Sequence, residues 1–208
     1  TLNYATATDA YNVAVGMNAG QQMTTGVQNT LVGSLAGDAL IDADYNVAVG
    51  KSALSADTYG SRSVAIGQES LSTQNFTTAT TAYNTAVGFY AGKAVTTGTN
   101  NTLIGGLAGD ALSTGYENVA VGLNALTTDD VGARSVAVGT GALRDQNMAT
   151  STSVYNVAIG HFAGGVLTTG VQNTFVGATA GDALIDADFN VAVGYAALTT
   201  DTYGSRNV

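Results

Sequence analysis

Bulky β-branched residues alternate with small residues in a pentapeptide that recurs along the whole chain. The first copy reads NVAVG at residues 12–16, and a twelfth copy begins at Asn207 and is cut off. Val, Ile and Thr favour strands, and alternation with a period of two is typical of a strand. Each run is closed by Gly, so we predict short strands joined by turns. We expect the Val and Ile side chains to point into the core.

The spacing of the pentapeptides predicts the architecture. Their glycines follow one another at a 17-residue spacing, except that every fourth step is longer by four, and the four steps together give a second, 72-residue period. A 17-residue unit cannot bury its own apolar face and must stack on its neighbours, whereas helical repeats need about 33 residues or more. We therefore predict an all-β fold, a parallel β-solenoid whose 17-residue turns, here called rungs, are grouped in fours. The whole chain is one solenoid, with super-repeats at 1–72, 73–144 and a truncated 145–208.

Stacked rungs place like residues in columns. Asn begins ten of the twelve pentapeptides, and Ser63 and Ser135 are the exceptions, so we expect the Asn side chains to hydrogen-bond along their column. Four residues after the pentapeptide Gly, two Gly rungs alternate with two Leu rungs, which we interpret as a surface that varies for a partner chain. Ten residues after it a further Gly, such as Gly26 or Gly60, predicts a turn with positive φ.

The long fourth rung is the one irregularity. Its four extra residues fall within 72–83 and 144–155, which are rich in Thr and Ser. Each stretch has one large apolar residue, Phe76 or Met148, and Tyr4 takes the matching place near the start of the chain. Insertions in solenoids lie on one face and often carry binding. Tyr4, Phe76 and Met148 are therefore candidate contacts, either to a neighbouring chain or to a receptor.

The residue before each Asn follows its own four-rung order. Tyr11, Tyr83 and Tyr155 take corresponding places in it and are candidates for contacts between chains or for aromatic platforms that bind sugars. Opposite charges also recur at a fixed offset, which predicts ion pairs within or between chains that set their register. These pairs are Asp57 with Arg62, Asp129 with Arg134, and Asp201 with Arg206.

Composition excludes several classes of function. Six Lys plus Arg against fifteen Asp plus Glu give a net charge of -9, which argues against nucleic acid and anionic membranes as partners. The chain has no Cys and one His, His161, so a thiol nucleophile, a Cys-ligated metal and a His-based triad are excluded within one chain. We predict no catalysis, no cofactor and no required metal. Calcium at the Asp-x-Asp of 37–44 and 181–188 is an alternative, although 109–116 lacks the last two Asp.

A thin rod of this composition leaves apolar surface uncovered. Apolar residues make up 45% of the chain and charged residues 10%, so lateral association of chains is expected. No apolar run approaches the roughly 18 residues of a membrane span, and we predict no membrane insertion. The sequence does not begin with Met. We expect it to be a fragment of a longer protein.

Two groups of repeat proteins resemble this sequence. Residues 63–67 and 135–139 resemble the head repeats of trimeric autotransporter adhesins, whose typical repeat is shorter than the one found here. Residues 97–109 and 116–128 are more similar to repeats of tailed-phage tail fibres of the marine and cyanobacterial type. The resemblance covers the whole chain and implies a left-handed β-roll assembled as a homotrimer.

The resemblance supports two functions. The first is a structural virion protein, a segment of a trimeric tail fibre that spaces or presents host-attachment parts beside other virion proteins. The second is the head of an adhesin on a bacterial surface that binds host glycans or matrix proteins. An ice-binding solenoid is a distant third, because the Thr columns recur only every fourth rung.

Overall fold

The computed structural model describes residues 9–208, and this part of the chain is all-β, with fifteen short strands and no helix. Eleven three-residue strands hold the pentapeptides: β1 (Val13–Val15), β2 (Thr30–Val32), β3 (Val47–Val49), β5 (Val64–Ile66), β7 (Thr85–Val87), β8 (Thr102–Ile104), β9 (Val119–Val121), β11 (Val136–Val138), β13 (Val157–Ile159), β14 (Thr174–Val176) and β15 (Val191–Val193). Four two-residue strands accompany them: β4 (Gly60–Ser61), β6 (Thr80–Thr81), β10 (Gly132–Ala133) and β12 (Thr152–Ser153).

The eleven longer strands form one parallel sheet in chain order. Val13 pairs with Thr30 one short rung later, and Val64 pairs with Thr85 across a long rung. Each side chain therefore lies over its counterpart in the next rung. The predicted parallel β-solenoid with 17-residue rungs is confirmed.

The four extra residues of the long rung form an exposed loop. The amide of Tyr59 donates to the carbonyl of Phe76 at an offset of 17, whereas the amide of Ala82 donates to Ser61 at an offset of 21. The insertion therefore lies between Phe76 and Ala82. Its residues 77–81 are largely exposed, and the pairing of β4 with β6 holds its end. The second copy repeats this arrangement with β10 and β12.

The central residue of each pentapeptide strand points into the core, and the residues on either side point outward. In β3, Ala48 is fully buried, while Val47 and Val49 are partly exposed. Leu31 of β2 and Phe175 of β14 are buried in the same way. The expectation that Val and Ile point inward is wrong, because alternation alone fits either face, and in the closed rung the central residue faces the interior whether it is Ala, Leu or Phe.

The four-rung order is an arrangement of core volumes. A Cβ on Gly37 would lie 2.8 Å from Leu31 Cδ2 and 2.8 Å from Leu40 Cδ1, so Gly occurs where its neighbours are large. One rung later Leu54 fills the same column; it is fully buried and lies in the same core cluster as the small Ala48. The Gly-Gly-Leu-Leu column therefore lies in the interior, and its interpretation as a surface for a partner chain is wrong.

Two kinds of glycine are required for different reasons. Gly33 has a φ of 141°, and a Cβ there would lie 2.4 Å from the carbonyl oxygen of Gly50 in the next rung. Gly60 is not in the left-handed region, so the prediction of positive φ for its column is wrong. A Cβ on Gly60 would instead lie 2.0 Å from a carboxylate oxygen of Asp57, which leaves no room for a side chain.

The Asn column forms the expected hydrogen-bonded ladder. The side-chain oxygen of Asn29 accepts the backbone N–H of Asn46 at 2.9 Å, and that of Asn46 accepts the N–H of Ser63 at 2.8 Å. The Asn29 amide donates to the carbonyl of Ala43 at 2.7 Å. Each buried Asn therefore ties together two rungs and the turn that precedes the strand.

Candidate functional site: the arginine and aromatic column

The residue before each Asn of the ladder, or before the Ser that replaces it, lies on the surface in the left-handed conformation, with φ between 50° and 64°. We call these residues the arginine and aromatic column: Tyr11, Gln28, Tyr45, Arg62, Tyr83, Asn100, Glu117, Arg134, Tyr155, Gln172, Phe189 and Arg206. The predicted contact residues Tyr11, Tyr83 and Tyr155 are 72%, 56% and 50% exposed. Their rings are accessible on the surface of one chain, and the partner that they contact stays a prediction.

Arginines of this column stack on aromatic rings of the preceding rung. The Arg62 guanidinium lies 4.9 Å from the ring centre of Tyr45, and that of Arg206 lies 5.4 Å from Phe189. Arg62 also donates to the Thr81 hydroxyl of the long-rung loop at 3.3 Å. Cation–π contacts of exposed groups contribute about 0.5–1 kcal/mol each. The column thus joins charged, aromatic and hydroxyl groups at each long rung.

The middle copy gives its arginine an acidic partner. Arg134 Nε donates to Glu117 at 2.7 Å, and Nη1 donates to the Ser153 hydroxyl at 2.7 Å and the Tyr155 hydroxyl at 3.2 Å. The contact with Glu117 is the largest cause that raises the pKa of Arg134 above its ordinary value. This arginine is therefore held by a carboxylate from its own chain.

The acid and the aromatic residue exchange places between copies. Glu117 follows Tyr116 in the middle copy, whereas Asp44 precedes Tyr45 in the first. Asp44 Oδ1 accepts the N–H of Val27 at 2.8 Å, and its carboxylate lies beyond ion-pair distance of Arg62. The third copy repeats the arrangement of the first, since Asp188 accepts the N–H of Val171 at 2.8 Å.

The predicted ion pairs of Asp57 with Arg62 and of Asp129 with Arg134 are not formed. Both aspartates are fully buried, whereas both arginines extend over the surface. Asp201 accepts the N–H of Gly204 at 2.8 Å and the Asn207 amide at 3.0 Å, while Arg206 stacks on Phe189. In this turn, residues five positions apart point to opposite sides of the backbone. The aspartate therefore faces the interior of the solenoid and the arginine faces the solvent.

A buried polar network takes the place of these ion pairs. Asp57 accepts the N–H groups of Gly60 and Phe76, each at 3.0 Å, and the Gln74 amide at 2.6 Å. Gln74 in turn donates to Ser63 at 3.0 Å and accepts from Asn84 at 2.9 Å. Burial raises the pKa of Asp57, although the hydrogen bonds from Gln74 and the backbone act to lower it.

The second copy has the same network. Asp129 accepts the Gln146 amide at 2.6 Å, and Gln146 donates to Ser135 at 3.0 Å. The Asn156 amide donates to Gln146 at 2.9 Å. In both copies Ser interrupts the Asn ladder, and the side-chain oxygen of the Gln accepts the hydrogen bond from the next Asn of the ladder. Burial also raises the pKa of Asp129.

The large apolar residues of the long rung do not project from the surface. Phe76 and Met148 are each only 6% exposed, because their backbone N–H groups bond to the buried Asp57 and Asp129 and draw both residues inward. Their interpretation as receptor or interchain contacts is wrong. Tyr4 lies outside the described residues.

Other candidate groups are dispersed. No group of three or more His, Cys, Asp or Glu residues within 9–208 is arranged to hold a metal ion. Asp110 accepts a hydrogen bond from Thr127, and burial raises the pKa of Asp110 as it does that of Asp38. His161 is exposed beside Phe162, with ring centres 4.6 Å apart. An open cavity at the last described rung is lined by Val191, Ala192, Val193, Ala197, Leu198, Asn207 and Val208 and holds no acid or base.

Comparison with protein-family models, with curated proteins and with solved structures finds no match for this chain. In the described part of the chain no helix is long and apolar enough to cross a membrane.

Sequence reasoning missed the buried network, although the sequence holds a signal for it. Seven residues after the pentapeptide Gly, the column has apolar residues in two rungs and then Asp and Gln, as in Leu40, Asp57 and Gln74. Asp and Gln in an otherwise apolar column are expected to bond to each other or to the backbone. The polar pair also brackets Ser63 in the sequence, the residue that replaces Asn in the ladder.

Proposed function

We propose that this chain is a segment of a homotrimeric tail fibre of a phage, which spaces or presents the host-attachment parts of the virion. The observation that supports this proposal is the outer face of the eleven-stranded sheet. Its two columns, the first and third residues of the eleven strands, consist only of Val, Ile and Thr. We call this surface the outer strip. It has no charged side chain along its whole length.

The size of the outer strip favours a protein partner. Eleven strands about 4.8 Å apart make a strip roughly 50 Å long, and three residues of strand make it roughly 10 Å wide. About 500 Å² of contiguous apolar surface is as large as the largest patch of a typical monomer, and such patches mark interaction sites. Several of its side chains are well exposed, among them Ile66 at 37%, Ile104 at 39% and Ile159 at 42%.

A second copy of the same chain fits this surface best. Both solenoids would present β-branched residues at the same spacing of about 4.8 Å, so that every rung of one chain meets an equivalent rung of the other. The number three comes from the two groups of proteins that the sequence resembles and is an analogy at the level of fold. The arginine and aromatic column borders the outer strip and would lie at the rim of the interface.

A solenoid of this kind suits a spacer. Backbone hydrogen bonds run between successive rungs along the full described length, such as the bond from the Gly33 amide to Val15 at 2.7 Å and from Gly50 to Val32 at 2.8 Å. Added rungs lengthen the rod without a change in its cross-section.

The exposed tyrosines and arginines favour a second candidate function. The head of a bacterial surface adhesin would use such side chains to bind a host glycan or protein. The gene that encodes this chain distinguishes the two candidates. A virion-docking or intramolecular chaperone domain in the same reading frame supports the fibre, whereas a coiled coil followed by outer-membrane strands supports the adhesin.

Light scattering on the purified chain tests the assembly. We expect a particle with three times the 20.8 kDa mass of one chain. A stable, soluble species of 20.8 kDa would overturn the trimer.

A further inference from the structure

We propose that Arg62, with Tyr45, Tyr83 and Thr81 around it, forms a binding site for the carboxylate of an acidic sugar. The inference rests on the proposed function, because a solenoid displayed outside the cell would meet such sugars on a host surface. It assigns a ligand class to one position of the arginine and aromatic column.

The Arg62 guanidinium has little protein to bind. Its side chain is exposed, its one hydrogen bond to a described residue is the 3.3 Å contact to Thr81, and no described carboxylate lies within ion-pair distance. A guanidinium has five N–H donors, so most of them face solvent. Asp44, the acid next to Tyr45 in the sequence, accepts a hydrogen bond from the N–H of Val27.

In the middle copy the corresponding arginine binds a carboxylate. There Glu117 occupies the place of Tyr45 and accepts from Arg134 at 2.7 Å, while Ser153 occupies the place of Thr81 and accepts at 2.7 Å. A carboxylate is thus bound on one edge of the guanidinium and a hydroxyl on the other. In the first copy the hydroxyl is present and the carboxylate is not, so an external carboxylate can occupy the free edge.

The rings on either side favour a sugar over an acidic peptide. Tyr45 is 44% exposed and Tyr83 is 56% exposed, and they lie one rung before and one rung after Arg62. Two rungs at about 4.8 Å separate the rings by roughly 10 Å. The apolar face of a pyranose packs on an aromatic ring, whose phenol oxygen can bond to the sugar hydroxyls. A peptide carboxylate would use the arginine and leave both rings uncovered.

The charge of the chain limits the ligand further. A net charge of -9 repels long polyanions such as nucleic acid, whereas a short oligosaccharide with few carboxylates carries a smaller total charge and is repelled less. Arg206, stacked on Phe189, offers the same free edge in the third copy. The corresponding edge of the Arg134 guanidinium is occupied by Glu117. The described chain therefore has one complete site at Arg62 and one partial site at Arg206.

Titration calorimetry at low salt tests this assignment with a trigalacturonate as the probe. Its fully methyl-esterified form and inorganic phosphate serve as the comparison ligands. We expect the acid trisaccharide to bind and the ester to bind at least about tenfold more weakly, because hydrogen bonds to a charged partner are the strong ones. Equal binding of acid and ester would overturn the role of the carboxylate. Equal competition by phosphate would show a site for a bare anion and would overturn the sugar.

Variants locate the site. R62Q together with R206Q should abolish binding, and Y45A with Y83A should weaken it about five- to tenfold. K51Q removes an exposed cation elsewhere and should leave binding unchanged. Adding E117Q to the R62Q R206Q chain should restore binding, because it frees Arg134 for the ligand. Misfolding cannot produce this gain. Unchanged binding by R62Q R206Q, or no binding by the unmodified chain at millimolar probe, would overturn the proposal.

Light scattering on the same samples separates this proposal from the proposed function. A particle of three chains that binds no acid trisaccharide contradicts the sugar site and leaves the trimeric fibre intact. Binding by a 20.8 kDa species contradicts the trimer and supports the site.

Discussion

The Gln74 amide donates a 2.6 Å hydrogen bond to the buried carboxylate of Asp57, one rung below it. Neither side chain is exposed to solvent. The same carboxylate accepts the backbone N–H of Phe76, so it fixes the point at which the exposed loop of the long rung begins. At each of the two long rungs that the structure describes, one buried acid therefore joins the core of the solenoid to the irregular turn.

Removal of the glutamine amide should destabilise the chain strongly. Q74L leaves the buried Asp57 carboxylate without its side-chain donor, and loss of a buried hydrogen-bond partner of this kind costs about 1–3 kcal/mol. Chemical denaturation monitored by circular dichroism measures the loss. Q68L changes an exposed glutamine in the same rung and is expected to alter the free energy of unfolding by less than about 0.5 kcal/mol. Equal effects of the two variants would contradict the importance of the network.

Mild acid should stabilise the fold through the buried aspartates. Burial raises the pKa values of Asp57 and Asp129 above the value of 3.8 that they have when unfolded. Between the two values the folded state binds more protons, so the free energy of unfolding rises as the pH falls from neutral toward about 4. Below the unfolded pKa this gain is complete.

The double variant D57N D129N tests this linkage. It cannot titrate at these two positions, so its stability should rise less between pH 7 and pH 4 than that of the unmodified chain. Asp38 and Asp110 have raised pKa values too and remain in both proteins. Denaturation curves at several pH values give the comparison, and parallel pH profiles for the two proteins would refute the assignment.

Neighbouring residues of β9 should respond in opposite ways to the same substitution. Ala120 is fully buried, so A120D places an unpaired charge in the core and should unfold the adjacent rungs. Val121 belongs to the outer strip, so V121D should keep the strand content and lower the particle mass from that of three chains toward that of one. Circular dichroism and light scattering measure the two effects. An unfolded V121D chain would argue against its outward position.

The volume pattern of the core predicts a rescue. G37L introduces a side chain whose Cβ lies 2.8 Å from both Leu31 and Leu40, and overpacking of this kind costs about 1–3 kcal/mol or more. The backbone permits the change, since Gly37 has a φ of 54° and Leu54 adopts the same value one rung later. Adding L31A, which recreates the combination of Ala48 with Leu54, should recover a large part of the loss.

A second glycine gives the matched control for this rescue. G50A also introduces a side chain, but its Cβ would lie 2.5 Å from the backbone oxygen of Gly67, where no side chain can be trimmed. Its loss of stability should persist when A48G is added. The test compares the melting temperatures of G37L, G37L L31A, G50A and G50A A48G with that of the unmodified chain. A loss of stability in G37L that L31A leaves unchanged would contradict the volume pattern.

Much of the fold was determined by the sequence. The 17-residue spacing predicted parallel stacking because only a stack of such short units buries an apolar face, and the Asn column predicted the ladder because an amide can donate and accept along a column. The places of the extra residues in 72–83 and 144–155 also followed from spacing alone. These features depend on which residues recur and at what interval.

Tertiary structure decided which side of each pattern faces inward. Alternation in the pentapeptide is compatible with Val47 or Ala48 in the core, and the closure of the whole rung turns the central residue inward, both where it is Ala48 and where it is the larger Phe175. Asp57 and Arg62 are five residues apart, yet the chain wall separates them, so Asp57 bonds to Gln74 and Arg62 stacks on Tyr45. The spacing of residues along the chain specifies which residues stack in one column. The path of the backbone through each turn decides which side chains face the interior and which face the solvent.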